Sequence, residues 1–273
     1  MGGTWFEGRM APDVRERGGV HTKRLSTQQR IHIAAVLTLL IGTLSANAQD
    51  FSFDPGITQD EFHEFASIVS RAIYASPVEP AGSRGLLAFD VGVAGIAVPV
   101  DEEAAYWVRS VSSDILTEGY LLVPRLVVSK GLGVANLSLS LARVPDSDIE
   151  VWGGALDVPI ISGNLAVPTL SLRGAYADLR GVEELDMKTY GVELFLSKGF
   201  GPFTPYAAAG VSRTDTEGRI PPTAFTPELI LQDQFEKERF TVGLRFSLLF
   251  PKIVIEATQS EDISYAAKVS FGL

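Results

Sequence analysis

Nine polar or charged side chains recur at alternate positions of otherwise apolar segments: Asp90, Arg125, Asn136, Arg173, Glu193, Arg239, Arg245, Glu256 and Lys268. A period of two sends successive side chains to opposite faces of a β-strand. If the apolar faces of these segments turn outward in a closed barrel, the nine line its lumen, where three acids meet five bases. Two uses of such an interior stand open. One is a packed set of ion pairs and hydrogen bonds that holds a small barrel rigid and closed, since barrels of about eight strands are just filled by side chains. The other is a narrow pore for small polar or anionic solutes, walled by Arg125, Arg173, Arg239 and Arg245.

Other chemistry is thinly provided. The chain has no Cys, which excludes a disulfide framework, a thiolate metal site and a cysteine nucleophile. Beyond residue 48 there is a single histidine, His63, on a segment that reads as a helix outside the barrel. General-base catalysis needs a positioned group titrating near neutrality, and no G-x-S-x-G, HExxH, P-loop or dinucleotide fingerprint is present. No catalytic residue, cofactor or metal site is therefore expected. Acids outnumber bases 33 to 23, and the isoelectric point is about 4.9. That balance argues against nucleic acid, whose phosphates require a concentrated basic surface.

The 273 residues have a mean hydropathy of +0.18 yet only one long apolar run, Ile31 to Leu44. At 14 residues it falls short of the roughly 20 that span a bilayer as a helix. Lys23, Arg24 and Arg30 precede it and Ala46-Asn47-Ala48 follows, the order of a secretory signal peptide cut after Ala48. The basic run lies far from Met1, so translation is expected to begin at Met10 or Val20. Residues 49–273 carry 30 acids and 17 bases. An exported, acidic, Cys-free chain suits the periplasm or outer membrane of a Gram-negative cell.

Thr58 to Ile73 reads as an amphipathic helix, with a T-x-x-E capping box at Thr58 and Glu61 and apolar residues at three- and four-residue spacing. The linker Tyr74 to Gly85 ends it with Pro77, Pro80, Gly82 and Gly85. The helix could plug the barrel, cap its periplasmic mouth or lie on the inner leaflet. An apolar stripe matches a polar lumen poorly, so a periplasmic or interfacial position is expected, and deletion of 49–80 should leave insertion intact. The expected organisation is a leader over 1–48, helix and linker over 49–84, and a barrel over 85–273.

Within 85–273 the period is two. Phe240, Val242, Leu244, Phe246, Leu248 and Phe250 share one face, and Tyr190, Val192, Leu194 and Leu196 another. About ten such strands are expected, mostly 9 to 13 residues long, which is the length of a tilted transmembrane strand and not the five or six typical of soluble sheets. Ala105–Val111 and Phe225–Leu231 could raise the count to twelve. Tight connections at 130–132, 162–164, 199–202 and 251 alternate with longer acidic ones at 98–120, 144–147, 180–184, 214–236 and 259–262. That asymmetry is the pattern of an outer-membrane barrel, with tight turns on the periplasmic side. Tyr120, Tyr176, Tyr190, Phe240 and Tyr265 fall at the loop ends and Phe200, Phe203, Phe250 and Phe271 at the turn ends, as two aromatic girdles would.

The stretch Pro168 to Val211, with Val123 to Gly133 before it, carries the motifs PRL..SKGL, LRG.Y..L.G and SKGF..TPY. It resembles a family of bacterial outer-membrane β-barrel proteins of unassigned function. The last strand, ending Val269-Ser270-Phe271-Gly272-Leu273, is similar to the C-terminal signal of the barrel-assembly machinery, with Leu in place of the usual terminal Phe. The resemblance implies an all-β, up-and-down transmembrane barrel in contact with outer-membrane lipid. It implies no catalytic residue. The function expected is non-enzymatic: a narrow channel or transporter, or a closed structural barrel whose acidic loops meet a partner or cations outside the cell.

Overall fold

The computed structural model describes residues 51–82, 84–111, 116–143, 149–164, 166–222, 227–248 and 250–272. The leader, its cut after Ala48, the whole of the 144–147 connection and the terminal Leu273 lie outside the described residues. Helix α1 (Gln59–Ile73) begins where its cap signals it: the Thr58 hydroxyl accepts from the Glu61 N–H at 3.3 Å, and the Glu61 carboxylate accepts from the Thr58 N–H at 2.8 Å. Tyr74 leaves the helix in an extended conformation, and Pro77 and Pro80 then bar further helix.

Ten long strands follow: β1 (Phe89–Pro99), β3 (Tyr120–Gly131), β4 (Asn136–Arg143), β5 (Glu150–Ile161), β6 (Thr169–Arg180), β7 (Leu185–Ser197), β8 (Phe203–Ile220), β9 (Leu229–Ser247), β10 (Lys252–Gln259) and β11 (Ile263–Gly272). A two-residue strand, β2 (Leu116–Thr117), pairs only with β3. Every long strand pairs antiparallel with its neighbours, and β1 pairs with both β11 and β3. The sheet is a closed ten-stranded barrel, which removes the open edges a flat sheet would present. β1 starts opposite Lys130 and Gly272 at the tight-turn end, so both ends of the wall lie there.

The strands are longer than their apolar patterning suggests. The 214–236 segment is mostly not a loop: β8 continues to Ile220 and β9 begins at Leu229. Phe225–Leu231 is accordingly no separate strand, and its described part is the start of β9. Ala105–Val111 is not a strand either. Ala105–Val108 forms a short helix, α2, that buries Trp107 against Phe65 of α1.

The reason for the missed extensions is an inversion of phase. Along β7 the outward residues Tyr190, Val192, Leu194 and Leu196 are apolar and exposed while the inward Glu193 and Ser197 are polar and buried. Above Tyr190 the outward residues become Asp186 and Lys188, and the inward ones become Leu185 and Met187. β9 switches likewise, from Val242 outward and Arg239 inward to Glu236 outward and Phe235 inward. The girdle Tyr176, Tyr190 and Phe240 marks the boundary. Below it, exposed Val242 (61%) and Ile255 (57%) belong to an apolar belt running round the wall. Soluble monomers rarely expose apolar patches above a few hundred Å², and the belt is of the kind that faces hydrocarbon.

The inverted upper storey encloses the helix. Phe62, Phe65, Ala66, Val69 and Ala72 of α1 are buried with the inward Ile96, Val98, Val151, Leu179, Leu185, Met187, Ile220, Leu231 and Phe235. The expected periplasmic or interfacial position of the helix is therefore incorrect, because the loop half of the lumen is apolar. The close fit needs glycine at two wall positions: a Cβ at Gly218 would strike the Phe62 ring, and one at Gly191 the Tyr74 ring.

With α1 in the core, Phe65→Ala should lower the unfolding free energy of the refolded barrel by about 3–5 kcal/mol, measured by urea titration. Deletion of 49–80 should yield a barrel that folds poorly or not at all, contrary to the reading from sequence.

Candidate functional site

Below the helix the linker Tyr74 to Gly85 runs down the lumen to the turn end, and the wall reaches in to meet its backbone. An extended, proline-containing segment makes few hydrogen bonds to itself, so its carbonyls are available. Arg125 donates from Nη2 to Ala72 O at 2.6 Å and from Nη1 to Tyr74 O at 2.7 Å. Lys268 Nζ donates to Pro77 O at 2.8 Å, and Arg173 Nη2 to Glu79 O at 3.0 Å. Ser197 Oγ donates to Ala81 O at 2.6 Å, and Asn136 Nδ2 donates to Gly82 O. Six successive or near-successive carbonyls are thus held by five wall side chains. Two of these carbonyls close the C-terminal end of α1, where a cation also suits the helix dipole.

Carboxylates complete the network. Glu79 of the linker accepts from Lys268, Arg84 and the Ser129 hydroxyl. Asp157 Oδ2 takes Arg173 Nη2 at 2.8 Å, and Asp90 takes Lys252 Nζ at 2.7 Å. Glu193 accepts from the Tyr74 hydroxyl at 3.0 Å and pairs with Arg239 at 3.5 Å. Glu256 accepts from the Tyr206 hydroxyl at 2.8 Å and the Ser76 hydroxyl at 3.2 Å. Arg173 also lies 3.7 Å from the centroid of Phe195, and Arg239 3.8 Å from that of Tyr74.

Of the nine residues singled out from sequence, eight are buried and Arg245 is partly so. The structure brings Arg125, Asn136, Arg173 and Lys268 onto the linker backbone and Glu193, Arg239 and Glu256 round Tyr74, Ser76 and Tyr206. Asp90 and Arg245 sit at the turn end. Sequence reasoning missed Glu79, Arg84, Asp157, Tyr74 and Tyr206. Asp157 and Tyr206 share the phase of inward neighbours Ala155 and Ala208 and were open to the same period-two reading. Glu79 and Arg84 lie on a linker without a period.

The barrel's ten-strand closure is fixed by its own pairings. No family model matches the chain, and no curated protein does. Among solved structures it is similar to the N-terminal β-barrel domain of Pseudomonas aeruginosa OprF, at 10% identity over 69% of this chain and 98% of that one, with a TM-score of 0.32. It is also similar to Ail, the attachment invasion locus protein of Yersinia pestis, solved with the heparin analogue sucrose octasulfate. That match has 11% identity over 68% and 94% of the two chains and a TM-score of 0.24.

At the loop end a second polar group clamps the helix. His63 is not outside the barrel: its Nδ1 lies 2.6 Å from Asp233 Oδ2 and its ring meets Phe235 edge-on at 4.8 Å. The Ser67 hydroxyl and Lys237 Nζ both donate to Glu261, and Arg71 Nη1 reaches Asp262 Oδ2 at 3.3 Å. Partial burial raises the Glu261 pKa, but the bonds from Lys237 and Ser67 outweigh it and hold the carboxyl below its ordinary value of 4.5. Among the described residues no group of three or more His, Asp or Glu is placed to hold a metal.

Two outcomes follow. A carboxyl with a lowered folded-state pKa contributes stability above its unfolded value, and loses it as pH falls through the folded one. Denaturant titrations between pH 6 and 3 should therefore show the wild type losing more stability on acidification than Glu261→Gln. Arg125→Leu, which removes two charge-assisted bonds, should cost about 3 kcal/mol or more in the same assay at neutral pH.

Proposed function

We propose that this chain is a closed, non-enzymatic outer-membrane barrel whose loop end serves as a surface for interaction outside the cell. In this reading residues 1–48 are an export leader, 49–84 supply the internal helix and linker, and 85–273 form the barrel. The single observation that carries it is the occupied lumen: α1 fills the loop half and the linker the turn half, each bonded to the wall. The apolar belt supports contact with outer-membrane lipid, and β11 supports recognition by the barrel-assembly machinery. The channel reading would require residues 74–85 to leave carbonyl acceptors that the cationic wall uses.

The same geometry supports an unusual path for the N-terminal segment. Ten wall crossings leave both ends of the wall at the turn end, and the helix and linker add an eleventh crossing inside the lumen. Phe51, bridged to Val111, therefore stands at the loop end. The outward face of the β7 to β9 extension, at the same end, is polar, with Asp186, Lys188, Asp215, Glu217, Arg219, Gln232 and Gln234. Gln232 and Arg219 donate to Glu217 and hold its carboxyl below the ordinary value.

Planar-bilayer recording of the purified full chain should show no unitary conductance; steady ohmic steps would replace this proposal with the channel. A protease site inserted between Asp50 and Phe51 should be cut on intact cells, whereas protection there would turn the barrel's orientation over.

A further inference from the structure

At the turn end of the lumen the linker and the wall enclose a polar cavity of about 120 Å³, whose lining includes Glu79, Arg84, Asn136, Asp157, Arg173 and Arg245. That is ample for a tetrahedral oxyanion with water beside it. The charges around it do not balance. Glu79 is taken by Lys268 and Arg84, and Asp157 by Arg173 through Oδ2. Arg245 has no carboxylate partner among the described residues; its Nη2 donates to the Thr204 hydroxyl at 3.2 Å. Asp90 at the edge pairs with Lys252 and lies 3.9 Å from Arg84, so five cations, Arg84, Arg173, Arg245, Lys252 and Lys268, meet three acids, Glu79, Asp157 and Asp90.

Among the described residues, three buried atoms of the lining have no hydrogen-bond partner: Arg173 Nη1, Arg245 Nε and Asp157 Oδ1. Arg173 is 2% exposed and Asp157 6%. Atoms buried without partners are costly. Two of the three are guanidinium donors and the third is a carboxylate acceptor. The complement to that set is an anion that accepts at two or more oxygens and donates at another.

We propose that this cavity binds inorganic phosphate in its hydrogen-bearing form. Its unprotonated oxygens accept from Arg173 and Arg245, neutralising the excess positive charge with bonds of the charge-assisted kind. Its P–OH donates to Asp157 Oδ1. Sulfate has the same shape but no proton at neutral pH, so it sets an oxygen lone pair against the Asp157 carboxylate. Chloride can only accept. Discrimination of this kind, in which a site's buried polar group is left opposed by the wrong ligand, gives large selectivity from one contact. Entry is from the turn end, where Arg84 and Arg245 retain partial exposure.

The test uses the purified full chain in detergent micelles at neutral pH, titrated with sodium phosphate or with sodium sulfate at matched ionic strength, read by calorimetry and by thermal unfolding. Saturable phosphate binding at least tenfold tighter than sulfate is expected. Arg245→Gln removes no ion pair, so it should stay folded by heat-modifiable electrophoretic mobility and lose at least tenfold in phosphate affinity. Asp157→Asn should narrow the preference for phosphate over sulfate; if that variant does not fold, Arg245→Gln decides alone. The proposal is overturned by the absence of saturable heat, which would leave water as the occupant. Equal effects of the two anions, or wild-type phosphate affinity in Arg245→Gln, would overturn it as well.

Discussion

The interaction on which the structure depends is the grip of a cationic barrel wall on the backbone carbonyls of a chain threaded through it. Buried cations ordinarily require carboxylates, because an unpaired charge in a low-dielectric interior is very costly. Here the linker supplies one acid, Glu79, and a file of peptide oxygens. Arg125 is the extreme case: both of its bonds run to the carbonyls of Ala72 and Tyr74, and no carboxylate lies within ion-pair distance among the described residues. Pro77 and Pro80 matter for the same reason. They bar a helix along the segment, so its oxygens are left for the wall instead of being used within a helix.

Above this charged storey the lumen behaves as the core of a soluble protein. The two storeys solve different problems for one threaded segment. The helix buries its apolar stripe against Leu179, Leu185, Met187 and Phe235, and the linker satisfies the wall where the outside is the apolar belt. A segment that belongs to both cores is an integral part of the fold.

The parts legible in the sequence are those with a local signal. The Thr58 and Glu61 cap, the helix that follows and the alternation in β7, β9 and β11 all read directly from residue types. The upper storey is hidden in the sequence, because its apolar residues take the phase opposite to those of the storey below. Past Tyr190 and Phe240 the outward residues are polar, the apolar face turns inward and the alternation reverses phase. The destination of the helix depended on that reversal, and the role of the linker on contacts more than 50 residues away in sequence, such as Arg125 on Tyr74 and Lys268 on Pro77.

The most direct measurement of the threaded lumen is a cross-link between the linker and the wall. Gly153 of β5 lies so near the linker that a Cβ there would sit 2.9 Å from the Ala75 Cβ, and the chain has no native Cys to interfere. The triple variant Ala75→Cys, Gly153→Cys and Ser140→Ala also removes the hydroxyl that the new Cβ would strike. A separation of the two Cβ atoms by roughly half an ångström brings the pair to disulfide geometry, and oxidation of the folded barrel should join the two thiols nearly completely. Two free thiols in the folded barrel, both modified by a bulky water-soluble maleimide, would contradict the account.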